Sequence, residues 1–163
     1  MRILSYLLIT ILFMNCKNQS PEILWEEAKQ MRSDNNMKHS IIKLESIIRN
    51  YPDHILASEA QYKKAEIYLN DIKDFDIAIK EYEKVLRQYP KHEVAKNSLF
   101  MIAYIYNNYL NSYTDAIDNY NLFLKKYPDD ELIPSVEYEL QMLFEIEGII
   151  DSLNTIVSQR RNI

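Results

Sequence analysis

The chain has 163 residues, 47% hydrophobic and 26% charged, a balance that excludes a disordered tail and a length that suits one domain or a short repeat array. With one Gly and five Pro, it lacks the punctuation that hairpins and tight βα turns require, so an all-α fold is expected. A formal net charge of −5 argues against a nucleic-acid partner, because such binders gather Lys and Arg on one face.

The first element is residues 1–15. One positive charge, Arg2, precedes a run from Ile3 to Met14 that is apolar apart from Ser5 and Thr10. A bilayer span needs about 20 apolar residues, and the run is shorter than that. Its order of charge followed by apolar core is that of a secretory signal peptide. It ends at Cys16, the single Cys of the chain, which can form no internal disulfide. One reading of Cys16 is an inert thiol in a discarded leader. The other is a resemblance to bacterial lipoprotein signals, which implies lipidation of Cys16 as the first mature residue. Phe13 and Asn15 stand where those signals usually carry Leu and a small residue. Two or more acyl chains anchor stably where one is marginal, so residues 16–20 then form a short tether to a membrane face. Ser20-Pro21-Glu22 follows, with Ser as N-cap and Pro at the first helical position.

Tyr51-Pro52, Tyr89-Pro90 and Tyr127-Pro128 recur at a spacing of 38 residues. The same offset places Ala65 on Ala103, Tyr68 on Tyr106, Ala78 on Ala116, Ile79 on Ile117 and Tyr82 on Tyr120. An earlier copy aligns once one residue is dropped from the intervening turn: Ala28, Met31, Ser40, Leu44 and Ile47 match Ala65, Tyr68, Ala78, Tyr82 and Val85. Each copy reads as two helices, with a small residue on each where the backbones approach. Tyr82, Val85 and Leu86, then Tyr120, Phe123 and Leu124, give the second helix an apolar stripe. Pro closes the unit by biasing the preceding Tyr away from helical geometry and withholding an N–H. The units are residues 21–53, 54–91 and 92–129. Residues 130–163 continue the first-helix pattern through "IPSVEYELQMLFEIEG", with Phe144 where Tyr106 stood, and then "IIDSLNTIVSQR". No fourth Tyr-Pro appears, so these two segments are expected to form a capping helix pair with a polar outer face.

The spacing of Ala-x3-aromatic and then Pro eight residues later, in "AIKEYEKVLRQYP" and "AIDNYNLFLKKYP", resembles the tetratricopeptide repeat from about residue 21 to 147. That resemblance implies a TPR-like α-solenoid of antiparallel helix pairs, about three repeats plus the C-terminal cap. It also implies a concave surface, lined mainly by first helices, on which a partner segment lies. The groove positions it carries over are Trp25, Lys29 and Arg32 in the first unit, Tyr62, Glu66 and Asn70 in the second, and Phe100, Tyr104, Asn107 and Asn108 in the third. For Trp25, Tyr62 and Phe100 groove and core stand open, because packing between first helices also uses large residues. Aromatics beside amides suit an extended peptide or a partner helix.

Catalytic signals are sparse. Of the three histidines, His39, His54 and His92, the last two occupy equivalent places just after Tyr-Pro and read as turn residues of the repeat. No HExxH, phosphate-cradling glycine loop or CxxC occurs, so neither metal nor cofactor is expected. The acidic pairs Glu81 with Glu83 and Asp129 with Asp130 are expected on solvated faces or in turns. The chain reads as non-enzymatic, with an enzyme bearing its site on the cap as the rival class. A lipoprotein signal followed by Tyr-Pro-ended repeats resembles the TPR lipoprotein of the outer-membrane β-barrel assembly machine, the BamD type, and, less closely, the Tol-Pal TPR protein that coordinates cell division. The chain has fewer repeats than the first and lacks the N-terminal coiled coil of the second. The resemblance implies a lipid-anchored scaffold in the bacterial cell envelope, on the outer membrane facing the periplasm, that binds other envelope proteins or peptide segments.

Overall fold

The computed structural model describes residues 19–161; the signal segment 1–15 and the lipidation residue Cys16 lie outside them. Helix α1 (Pro21–Ser33) starts where Ser20 Oγ accepts from the Ile23 N–H at 3.4 Å, with Pro21 in the first turn where no N–H is missed. Helix α2 (Met37–Asn50) is capped by Asn36. Helix α3 (Ile55–Glu66) runs on into a wider π turn (Ile67–Ile72). Then follow α4 (Phe75–Gln88), α5 (Glu93–Asn108), α6 (Tyr113–Lys126) and α7 (Ile133–Arg161). Consecutive helices pack on one another, and α1, α3 and α5 also touch in series, which makes the array an α-solenoid.

Two kinds of turn alternate. Within a unit, Asn35, Lys73 and Asn111 adopt the left-handed conformation (φ 60°, 62° and 51°), and the chain reverses there. Between units, Tyr51 and Tyr89 end a helix ahead of Pro, and a histidine opens the next one. His54 Nδ1 accepts from the Leu56 N–H at 3.2 Å, and His92 Nδ1 from the Val94 N–H at 3.5 Å. These histidines are thus helix caps, a more specific task than a turn position.

The π turn also explains the residue that the first and second copies fail to share. Ala28 and Ala65 lie 37 positions apart, but Asn35 and Lys73 lie 38 apart. The extra residue therefore falls between them, in the segment that widens to accommodate it.

The interior is a row of three apolar clusters. Leu24, Leu44, Ile47 and Ala57 form the first, Ala65, Ala78, Tyr82 and Ile105 the middle one, and Ala103, Ala116, Tyr120, Phe123 and Leu143 the last. Ala65, Ala78, Ala103 and Ala116 are fully buried, as close approach of paired helices requires.

Two expectations are corrected. The cap is one continuous helix, α7, rather than a pair. Gly148 stands where a break was expected, but no Pro follows it and nothing lies within 4 Å of the place a Cβ would take, so no contact forces the chain to turn. Its outer face is not wholly polar either: Tyr138, Phe144 and Ile149 are exposed by 62%, 54% and 61%, beside exposed Glu137, Gln141 and Glu145. The second correction is Glu81, expected on a solvated face but found buried. Its carboxylate accepts from Gln61 Nε2 and Lys84 Nζ, both at 2.7 Å, and lies 3.4 Å from Lys64 Nζ, which also pairs with Glu45 at 2.6 Å. Residues three and four apart share a helix face, and Glu81 shares one with Val85, so it points inward and must be paired there.

Candidate functional site

Trp25, Lys29 and Arg32 recur at helical spacing and so share one face of α1. That face forms one wall of a cavity of about 240 Å³, completed by Ser40 and Leu44 from α2 and by Lys63 and Ile67 from α3 and its π turn. The floor is apolar in effect, because the Ser40 hydroxyl is already spent on the Ala28 carbonyl at 2.8 Å. The rim is ionic. Arg32 reaches Asp71 at 2.7 Å and Glu66 at 3.8 Å, Lys63 meets Glu66 at 2.6 Å, and Lys29 meets Glu26 at 2.8 Å. Such a recess takes one apolar side chain, and the paired charges around it offer both signs to the backbone or flanks of the same segment.

Tyr62 and Phe100 occupy equivalent places and serve core and surface together. Tyr62 meets Tyr82 edge to face at 5.3 Å, and Phe100 meets Tyr120 in the same way at 5.8 Å, while both remain partly exposed. Burial, helped by the Glu66 and Glu59 carboxylates, pushes the Tyr62 phenol up to about 12, so it stays a neutral hydrogen-bond donor. Tyr104 extends the aromatic strip, lying 6.4 Å from Phe100 and 6.1 Å from Tyr109. The amides are less free than expected. Asn107 donates to Glu139 on α7 at 2.8 Å, and Asn108 donates back to the Tyr104 carbonyl at 3.1 Å. Asn70 is exposed within the π turn.

The expected residues therefore fall into two groups. Trp25, Lys29, Arg32 and Glu66 meet at the cavity and its rim, and Phe100, Tyr104, Asn107 and Asn108 line α5 further along, with Tyr62 on α3. Lys63, Asp71 and Glu139 were missed. Asp71 lies in the π turn, where the inserted residue breaks the register. Glu139 sits on α7, to which no groove position was carried. Among the described residues, no three of His, Cys, Asp and Glu gather as metal ligands, and no helix is long and apolar enough to cross a membrane.

A stack of helix pairs closed by Tyr-Pro, with alanines at each crossing, is the geometry to set beside known families. Residues 59–92 and 97–130 match the tetratricopeptide repeat. The two matched segments span most of α3 to α6, including Ala65, Ala78, Ala103 and Ala116 and the Tyr62 and Phe100 positions. No curated protein matches the chain. Tetratricopeptide repeats are typically protein-interaction scaffolds, which fits a surface offering a recess, aromatics and paired charges.

Proposed function

We propose that this chain is a non-enzymatic scaffold of the bacterial cell envelope, held to the outer membrane by a lipid on Cys16 and facing the periplasm. It binds other envelope proteins through the surface of its first helices, in the manner of the lipoproteins of β-barrel assembly that its sequence resembles. The observation that carries the binding site is the recess beneath Trp25, apolar inside and ringed by Lys29, Arg32, Lys63 and Glu66. One apolar anchor residue of a partner fills it, and hot spots of binding are commonly such anchors in pockets.

The test has two arms. A photo-crosslinking residue placed at Trp25 or Tyr104 should capture a protein partner in intact cells, and the same residue at exposed Ile42 on α2 should not. Capture from Ile42 alone would move the site to the other face. Labelled palmitate should enter the wild type and not Cys16→Ser; equal labelling refutes the anchor while leaving the binding face standing.

A further inference from the structure

Among the described residues, every first helix but the last is matched by a second helix. Trp25 packs against the first core and shares a cavity wall with Leu44 of α2; Tyr62 packs on Tyr82 of α4; Phe100 packs on Tyr120 of α6. The next place in this series, 38 residues after Phe100, is Tyr138. It is 62% exposed. The same holds one and a half turns on. Tyr68 and Tyr106 are each packed between two neighbouring cores, whereas their counterpart Phe144 is 54% exposed. Helix α7 buries Val136, Leu140 and Leu143 against the last core and runs on as one helix to Arg161, so among the described residues no second helix folds back over Tyr138 and Phe144. Between these two aromatics Gln141, flanked by Glu137 and Glu145, borders a shallow depression of about 480 Å³ floored by Leu140.

We infer that this open end of the stack is a docking site for an amphipathic helix of a partner protein with basic flanks, which completes the fourth helix pair in trans. The shape follows from the repeat: three pairs show what a helix laid against these positions buries. The sign of the charge follows from the rim. Glu137 and Glu145 are exposed and make no ion pair among the described residues, while Gln141 donates to Glu145 at 3.2 Å. A second copy of this chain is disfavoured, since an isologous contact would bring Glu137 and Glu145 of both copies together on a chain of net charge −5. Gln141 replaces the alanine of Ala65 and Ala103, so the incoming helix sits further out than its counterparts and meets a polar amide at the crossing. This site lies apart from the recess under Trp25 and does not depend on the groove reading.

The test uses the soluble chain from residue 17 onward, with fluorescent peptides of the sequence of residues 112–128, the chain's own third second helix, as probes. In the basic probe Asp115 and Asp118 are replaced by Lys; in the acidic probe Lys125 and Lys126 are replaced by Glu. The basic probe should bind at least about tenfold more tightly, which is about 1.4 kcal/mol, and its affinity should fall as salt is raised. Tyr138→Ala with Phe144→Ala should lose most of this binding while the melt stays unchanged, both side chains being exposed. Glu137→Lys with Glu145→Lys should reverse the preference, and Trp25→Ala should leave it alone. Three results overturn the proposal: neither probe binding at millimolar concentration, both binding equally, or a dimer in sedimentation that the Tyr138 and Phe144 changes abolish. A loss of probe binding on Trp25→Ala would instead assign the peptide to the groove.

Discussion

Glu81 shows how a single carboxylate ties α4 to α3, with Lys64 extending the tie through Glu45 to α2. Burial alone would raise its pKa, but the hydrogen bonds from Lys84 and Gln61 and the charge of Lys64 outweigh that and hold it below the usual carboxylate range. A carboxyl lowered in the folded state contributes stability that is complete above its unfolded value of about 4.3 and is lost as pH falls through the folded value. Glu81→Gln should therefore flatten the acid limb of a stability-versus-pH curve below about pH 4.3. At neutral pH it should cost about 1 to 3 kcal/mol, since Lys64 keeps Glu45 as a partner. Urea melts across the acid range read both effects, and an unchanged acid limb would show that other carboxylates dominate it. Tyr120 makes the opposite case. Its ring fills the last core, but its hydroxyl is buried without a hydrogen-bond partner among the described residues. Tyr120→Phe should thus be neutral or stabilising by up to about 1 kcal/mol, because it removes a polar group that gains nothing in the fold. A clear drop in Tm would mean that the hydroxyl has a bound partner in solution.

At the scale of helices, the interior of the array was legible and its end was not. Tyr-Pro, the alanine pairs and the aromatic stripe are local signals whose physical meaning is fixed by backbone geometry, so the crossings and breaks of α3 to α6 follow from them. The π turn left only the trace of one unmatched residue, because a widened turn has no composition of its own. Helix α7 was misread for a related reason. The two sequence segments meet at Gly148, yet a helical glycine lowers stability without itself supplying a stop, and stops come from left-handed caps or from Pro. Trp25, Lys29 and Arg32, carried over from the repeat resemblance, lie together along one cavity, whereas the engagement of Asn107 by Glu139 depends on a tertiary contact that no local pattern announces. Because Gly148 is helical and meets no neighbour, Gly148→Ala should stabilise α7 by about 0.5 to 1 kcal/mol. Circular dichroism and hydrogen exchange of the last helix would register the gain, and a loss would mean that the helix bends there when it works.

For the molecule as a whole, the row of clusters is joined by shared side chains. Tyr68 packs against both the first and the middle cluster, and Leu86 and Tyr106 against both the middle and the last. In a linear array, cooperativity is a nearest-neighbour quantity, and these side chains carry it. Tyr106→Ala should cost about 3 kcal/mol or somewhat less, since the ring is only partly buried. It should also split one melting transition into two, with the segment from α6 onward losing structure first. Coincident transitions by fluorescence and circular dichroism would argue against that division. The three linking side chains act as couplings between carriages: while they hold, a load applied at either end of the train is felt along its length. A partner resting on α1 and another on α7 then need not touch to sense each other, because each slows the fraying of its own end and so lengthens the lifetime of the amides in between.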